Sequence, residues 1–348
     1  MLRRLGSATI AIALVTSTLS AGPDISISGF VDTCAHYNVN NPDSRTSALR
    51  SYDSRAQSFY LNAVHAAFSA APVEGVRAVI ELDAGSDADF NKNASVDSIQ
   101  FDVQEAYVTY VHEETGLGVK AGKWATFEGI EVIEGPENPT VTRGFLYGLA
   151  EPFTHVGAAA TYTAGAFDAA LGVVNGWDLT TDNNTGKTVL GKATYGGEDW
   201  GVTGSFLVGP EQADNSSDVR QSYDVTGFVQ VEGVKVNLQG NYGNEKIGGG
   251  RAHWVGGGIQ PVVTVAESLS VGARLERFRD PEGVRTGVAG GPTVTNVAIA
   301  PAWAATEALT VRIEARADFS SGGDAFEDAS GDPKDAQATL SAEVTYRF

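Results

Sequence analysis

Ala338-Thr339-Leu340-Ser341-Ala342-Glu343-Val344-Thr345-Tyr346-Arg347-Phe348 ends the chain, and its alternation decides the fold. Side chains of a strand repeat every two residues, so Leu340, Ala342, Val344, Tyr346 and Phe348 share one face. Thr339, Ser341, Glu343, Thr345 and Arg347 share the other. Chain ends of soluble domains fray into water, which suits a final exposed Phe poorly. A strand with hydrocarbon on one side and water on the other needs this division, with aromatics at the interface.

Other segments repeat the pattern. In 309–319 one face is apolar and the other carries Arg312, Glu314, Arg316 and Asp318. Val234, Val236, Leu238, Gly240 and Tyr242 oppose Lys235, Asn237, Gln239 and Asn241, and Val76, Ala78, Ile80 and Leu82 oppose Arg77, Glu81 and Asp83. A Lys or Arg facing lipid at mid-membrane costs about 2–4 kcal/mol, so these charges are expected to point inward, to water. About sixteen strands are expected, from near 25–37 to 335–348. Short connections with hairpin residues fall around 72–75, 113–116, 164–166, 197–198, 233, 265–268 and 305–308. They alternate with mostly long, Asp-, Asn-, Ser- and Gly-rich ones around 38–56, 86–97, 128–153, 178–186, 210–219, 246–250, 280–293 and 321–334. That parity belongs to a membrane barrel with short inner turns and long outer loops. The 246–250 loop is the weakest of these, which leaves fourteen or eighteen strands open.

At the other end, Met1-Leu2-Arg3-Arg4 precedes an apolar, small-residue run from Leu5 to Ala21. This is the pattern of an export signal over 1–21, cut after Ser20 or Ala21, with 22–348 as the mature barrel. Beyond it no run is apolar enough for a membrane helix, so a spanning chain must form a closed barrel. The single cysteine, Cys34, excludes an internal disulfide framework. A hydrophobic content of 42% and a mean hydropathy of −0.10 fit a barrel in which only alternate residues meet lipid. The net charge of −19, from 43 acidic and 24 basic residues, argues against nucleic-acid partners. It fits either a cation-attracting pore or acidic, solvated loops.

A series of motifs resembles the OmpL-like β-barrel porin family. They are Ser28-Gly29-Phe30-Val31-Asp32, Gln104-Glu105-Ala106-Tyr107-Val108, Lys120-Ala121-Gly122-Lys123-Trp124-Ala125-Thr126, Glu131-Val132-Ile133-Glu134 and Glu137-Asn138-Pro139. Glu151-Pro152-Phe153-Thr154-His155-Val156-Gly157 and Gly172-Val173-Val174-Asn175-Gly176-Trp177-Asp178 complete the run, over roughly 25–195. Phe127-Glu128 and Gly135 depart from the family's pattern, which has Pro-Ile and Ser there. The resemblance implies a bacterial outer-membrane channel: an all-β, transmembrane, antiparallel up-and-down β-barrel. The terminal strand is similar to those whose last aromatics, here Tyr346 and Phe348, are read by the barrel-assembly machinery.

Residues 128–153 are too apolar for a freely solvated loop, with Ile130, Val132, Ile133, Val141, Phe145, Leu146 and Tyr147. Third loops of sixteen-stranded porins fold into the lumen and narrow it. Here such a loop would bring Glu128, Glu131, Glu134, Glu137 and Arg143 to a constriction, facing a wall with Arg274, Arg312 and Arg316. The alternative is that these glutamates pair with Arg143 or wall arginines, or simply face water.

Chemistry beyond a channel finds little support. His36, His65, His112, His155 and His253 form no HExxH or compact ligand spacing, and no GxSxG elbow occurs. His155 is expected to hold the third loop by a hydrogen bond. Acidic stretches such as 182–184 and 324–335 lack EF-hand spacing. The few residues between 21 and Ile25 leave no room for a plug domain. The expected function is passive diffusion of small hydrophilic solutes or ions, with cations preferred and no cofactor or metal. Outer-membrane lipid and lipopolysaccharide are the expected surroundings, with monomer and homo-trimer both open. The alternative is a non-conducting barrel whose long loops bind a partner or lipopolysaccharide.

Overall fold

In the computed structural model, which describes residues 24–91 and 100–348, sixteen strands close into one antiparallel barrel. They are β1 (Asp24–Asn38), β2 (Ser58–Val73), β3 (Val76–Ala84), β4 (Phe101–Val111), β5 (Leu117–Ala125), β6 (Thr154–Ala164), β7 (Phe167–Val174) and β8 (Thr188–Gly196). β9 (Trp200–Gln212), β10 (Asn215–Val231), β11 (Val234–Ile247), β12 (Gly250–Ala266), β13 (Leu269–Arg279), β14 (Thr293–Ala304), β15 (Leu309–Ser321) and β18 (Ala336–Arg347) complete it. The last long loop carries a two-residue pair, β16 (Phe326–Glu327) with β17 (Pro333–Lys334). The expected export signal over 1–21 lies outside the described residues.

Each strand pairs with its sequence neighbours, and β18 pairs with β1 from Phe30↔Arg347 to Asn38↔Thr339. The seam ends at reciprocal 3.0 Å bonds between Gly29 and Phe348. Closure leaves no unpaired edge along the seam, as hydrocarbon demands.

Burial is inverted relative to a soluble domain. On β18, Leu340 is 52% exposed and Val344 43%, while Thr339, Ser341, Glu343 and Thr345 are buried. On β15, Ile313 is exposed and Arg312, Glu314, Arg316 and Asp318 are buried. The apolar face is outside and the polar face inside, the partition expected when lipid is the external solvent.

The short side of the rim matches its expected turns. On the other side, two expected loops prove to be tight turns. β9 and β10 meet at 213–214 and β11 and β12 at 248–249. Gly248 and Gly249 both have positive φ, 57° and 86°, which a two-residue hairpin turn of the primed type requires. Paired backbone runs unbroken up to the 248–249 turn, and up to the 213–214 turn with a register shift between Asn215 and Val219, where polar composition suggested loops. Strands of 13 to 17 residues here exceed the roughly 10 needed to cross, so these hairpins project beyond the bilayer as ribbons.

Candidate functional site

The connection between β5 and β6, residues 126–153, is pinned to the buried polar face of the barrel. Its apolar residues explain half of the attachment. Phe145, Leu146 and Ala150 pack with the inward Trp254, Phe278 and Val294. Ile133 and Tyr147 pack with Tyr52 of the first loop, and Val141 packs with Cys34 and Tyr60. The path starts at Gly129, whose φ of +87° and contact with the Glu151 carboxylate leave no room for a Cβ.

Arginines and carboxylates of β13, β15 and β18 supply the other half. Arg274 donates to Glu131 Oε1 at 2.7 Å, to Thr140 Oγ1 at 2.7 Å and to the Thr142 carbonyl at 2.5 Å. Arg312 donates to the carbonyls of Asn138 (2.6 Å) and Gly135 (2.9 Å) while paired bidentately with Glu343. Arg316 reaches the Arg143 carbonyl at 2.6 Å and Asp318 at 2.8 Å. In return, Glu314 accepts from the Thr142 N–H at 3.0 Å, and Glu276 accepts from the N–H groups of Phe145 and Leu146. Arg50, from the first loop, shares Asp318 with Arg316. Of the two readings of this wall, a basic face opposite the loop or arginines paired with its glutamates, Arg274 follows the second through Glu131. All three arginines also grip the loop's backbone, because peptide carbonyls taken out of water need donors and guanidinium offers five. Losing one partner of such a buried pair costs about 3–5 kcal/mol.

The four glutamates do not form one acidic row. Glu131 is neutralised by Arg274 and also accepts from Gln260 (3.0 Å) and the Gly144 N–H (2.6 Å). Glu137 lies at the surface against Arg347, 2.8 Å away. Arg143 donates to the carbonyls of Val132 and Ile133, its guanidinium 4.5 Å from the Tyr52 ring centroid. Glu128 accepts from Ser222 on β10 at 2.7 Å, and its other oxygen is buried without a partner. Burial, with the Asp224 carboxylate nearby, pushes the Glu128 carboxyl up to about 8 against the opposing Ser222 bond. Burial likewise raises Glu151 well above the usual carboxylate range.

Glu134 belongs to a second group. The Gln104 side chain donates to both Glu134 and Glu81, while Glu105 accepts from the Ala125 N–H at 2.5 Å. Gln104 and Glu105 are adjacent yet both buried, because the β3–β4 register shifts between Glu81 and Leu82. A bulge puts two successive residues on one side. Strict alternation had no way to include both. Lys120, also inward, stands 3.7 Å from the Tyr107 ring centroid, and Lys192 is 5.5 Å from that of Phe127. Between them the inner face is apolar, with Trp124, Ala159, Val174, Leu190 and Leu207 in one cluster.

His155 has the structural role expected of it, with Nδ1 3.1 Å from the Gly176 carbonyl and Nε2 3.3 Å from Thr126 Oγ1. At the departures from the family pattern, Phe127 packs on the Trp124 cluster. At Gly135 a Cβ would stand 3.1 Å from Asp32 and 3.2 Å from Arg143.

A closed barrel with a polar interior, an apolar exterior and a long connection fixed to its inner face defines a porin-type outer-membrane protein. The chain belongs to the family described as "Putative beta-barrel porin-2, OmpL-like", which matches residues 24–348 and so extends through the C-terminal half. No curated protein matches by sequence. Similar solved structures include the outer membrane channel DcaP of Acinetobacter baumannii, at TM-score 0.67 and 16% identity over 95% of this chain and 99% of that one. The anion-selective porin from Comamonas acidovorans gives 0.67 and 11% over 94% and 100%. OmpT of Vibrio cholerae gives 0.63 and 12% over 95% and 99%. At these identities the likeness is one of fold.

Proposed function

We propose that the barrel is a passive pore for small hydrophilic solutes, that residues 128–153 narrow its water-filled interior, and that it prefers cations. The distribution of charge carries this reading. Arg274 and Arg312 are matched by carboxylates and carbonyls, which leaves them little field to offer a passing anion. Arg316 meets the Arg143 carbonyl and Asp318, which it shares with Arg50, while its Nη2 is buried without a partner. Among the described residues no arginine pairs with Glu81, Glu105 or Glu134, and Lys120 faces them from β5. Unbalanced carboxylates in a confined, low-dielectric channel raise the local cation concentration. Tyr346 and Phe348 act as the assembly signal and residues 1–21 as the export signal, and the barrel sits in the lipopolysaccharide-bearing membrane as a monomer or a homo-trimer.

Single-channel recording in planar bilayers under a salt gradient tests the reading. A reversal potential of cationic sign is expected, and an anionic sign refutes the preference. One observation favours a second reading, a barrel that does not conduct: the arginine–carboxylate network spans β13 to β18 and is tied to the loop throughout. Liposomes containing the folded barrel are expected to swell in small sugars, and failure to swell favours the second reading.

A further inference from the structure

Between the loop and β3–β4 lies a cavity of about 230 Å³ whose walls include Glu81, Glu105, Glu128, Glu134, Tyr147 and Phe153. That is space for roughly seven or eight waters at liquid density. Glu131 also borders it, but Arg274 answers that charge. The other four have weaker partners. Glu81 and Glu134 share the neutral amide of Gln104, Glu105 has one backbone N–H, and Glu128 has one hydroxyl. Two cations of β5 stand nearby: Lys120, over Tyr107, and Lys123, which is paired with Asp102 at 3.2 Å.

Acidity alone would not make this a site. The second observation is Glu128, which is 5% exposed and has a buried Oε1 with no donor. A buried acceptor without a donor is costly, and a ligand N–H placed there removes the cost. Glu128 is held from β10 through Ser222, whereas Glu81 and Glu105 rise from β3 and β4, so carboxyl groups enter the cavity from both sides. Burial favours the protonated Glu128 carboxyl in the empty cavity, and an ammonium placed beside it draws it to the ionised form.

The same spread disfavours a metal. Among the described residues no three His, Cys, Asp or Glu side chains converge as a metal demands. Separated carboxylates suit a ligand with separated charges. Phe127, Tyr147 and Phe153 give it aromatic walls, which accept both alkyl chain and ammonium. We propose that this cavity binds a linear alkyl diamine, one ammonium toward the Glu81–Glu134 pair and the other toward Glu128. The proposal deepens the pore reading, since the diamine is a solute entering that interior.

The test uses 1,4-diaminobutane as the probe on the folded full-length barrel, by calorimetry in detergent and by block of single-channel current. Saturable binding is expected, weakened about tenfold by E81Q/E134Q and by E128Q, each variant losing one charge-assisted contact or pair. E113Q, in the β4–β5 turn, is expected to bind as the parent does. Calorimetric binding in a barrel that passes no current would remove the pore reading and keep the site. A conducting barrel that neither binds nor is blocked, or in which the Gln variants bind as the parent does, overturns the site alone. Equal binding of Mg²⁺ and the diamine, at one ionic strength, also overturns it, since that marks diffuse attraction. Intact folding of the variants is read from the heat-modifiable shift of the barrel on gels.

Discussion

The loop of residues 126–153 touches two stretches of inner wall in different ways. Toward β13–β18 almost every charge is answered, with Arg274 on Glu131, Arg312 on Glu343, and Arg316 and Arg50 on Asp318. Toward β3–β5 the carboxylates of Glu81, Glu105 and Glu134 meet amides, and Lys120 lies over an aromatic ring. The first stretch uses charge as a fastener. The second keeps charge available for something mobile. A chain with 43 acidic and 24 basic residues can do both, because a few of its arginines, Arg274, Arg312 and Arg316, stand where backbone must be held.

The largest way to break this comparison is Arg274→Met. It strands Glu131 and the Thr142 carbonyl, and a loss of about 3–5 kcal/mol is expected in urea unfolding of the reconstituted barrel. Freed from the wall, the loop should also become protease-sensitive. A variant as stable and resistant as the parent would mean that the arginines do not fasten it.

pH supplies the next test. Burial favours the neutral Glu128 carboxyl, so its stabilising contribution is whole below the ordinary value of 4.5 and is lost as pH rises through about 8. Glu128 alone can tilt stability by at most about 1.4 kcal/mol per pH unit over that window. Comparing urea midpoints near pH 5 and pH 9, Glu128→Gln is expected to flatten the decline. An equal decline in the variant would place the pH sensitivity in other groups.

Selectivity is the finer probe. A charge about 4 Å from an ion in water is worth about 1 kcal/mol. Glu81→Gln is therefore expected to move the reversal potential toward zero and Lys120→Met to move it away. Movement in the same direction by both would show that β3–β5 does not border the ion path. The smallest effect belongs outside both stretches: Lys187→Ala breaks a pair with Asp182 whose lysine is 52% exposed. Unfolding should shift by no more than about 1 kcal/mol.

Much of the barrel was legible because its lipid-facing pattern has a period of two. The faces of β15 and β18, the sixteen strands and the short side of the rim follow from alternation and turn residues. Period two assigns a face to a side chain, but it does not name what lies across from it. Arg274, Arg312 and Arg316 were read correctly as inward, yet their partners on the loop depend on a fold 130 to 180 residues away in sequence. Gln104 beside Glu105 was hidden for a different reason, since a bulge suspends the alternation that the reading relied on. The inward apolar cluster around Trp124, Leu190 and Leu207 broke the rule of a polar interior, and only contact between five strands exposes it.

The Gly248-Gly249 turn has a practical consequence. Ideal Cβ atoms built on both glycines meet nothing within 4 Å, and paired strands flank them at Ile247 and Gly250. A short epitope spliced between the two would ride at the tip of a stiff ribbon, away from the gripped connection. Antibody staining of such a fusion on intact cells would then read out which rim faces the outside world, making this turn a natural port for surface display.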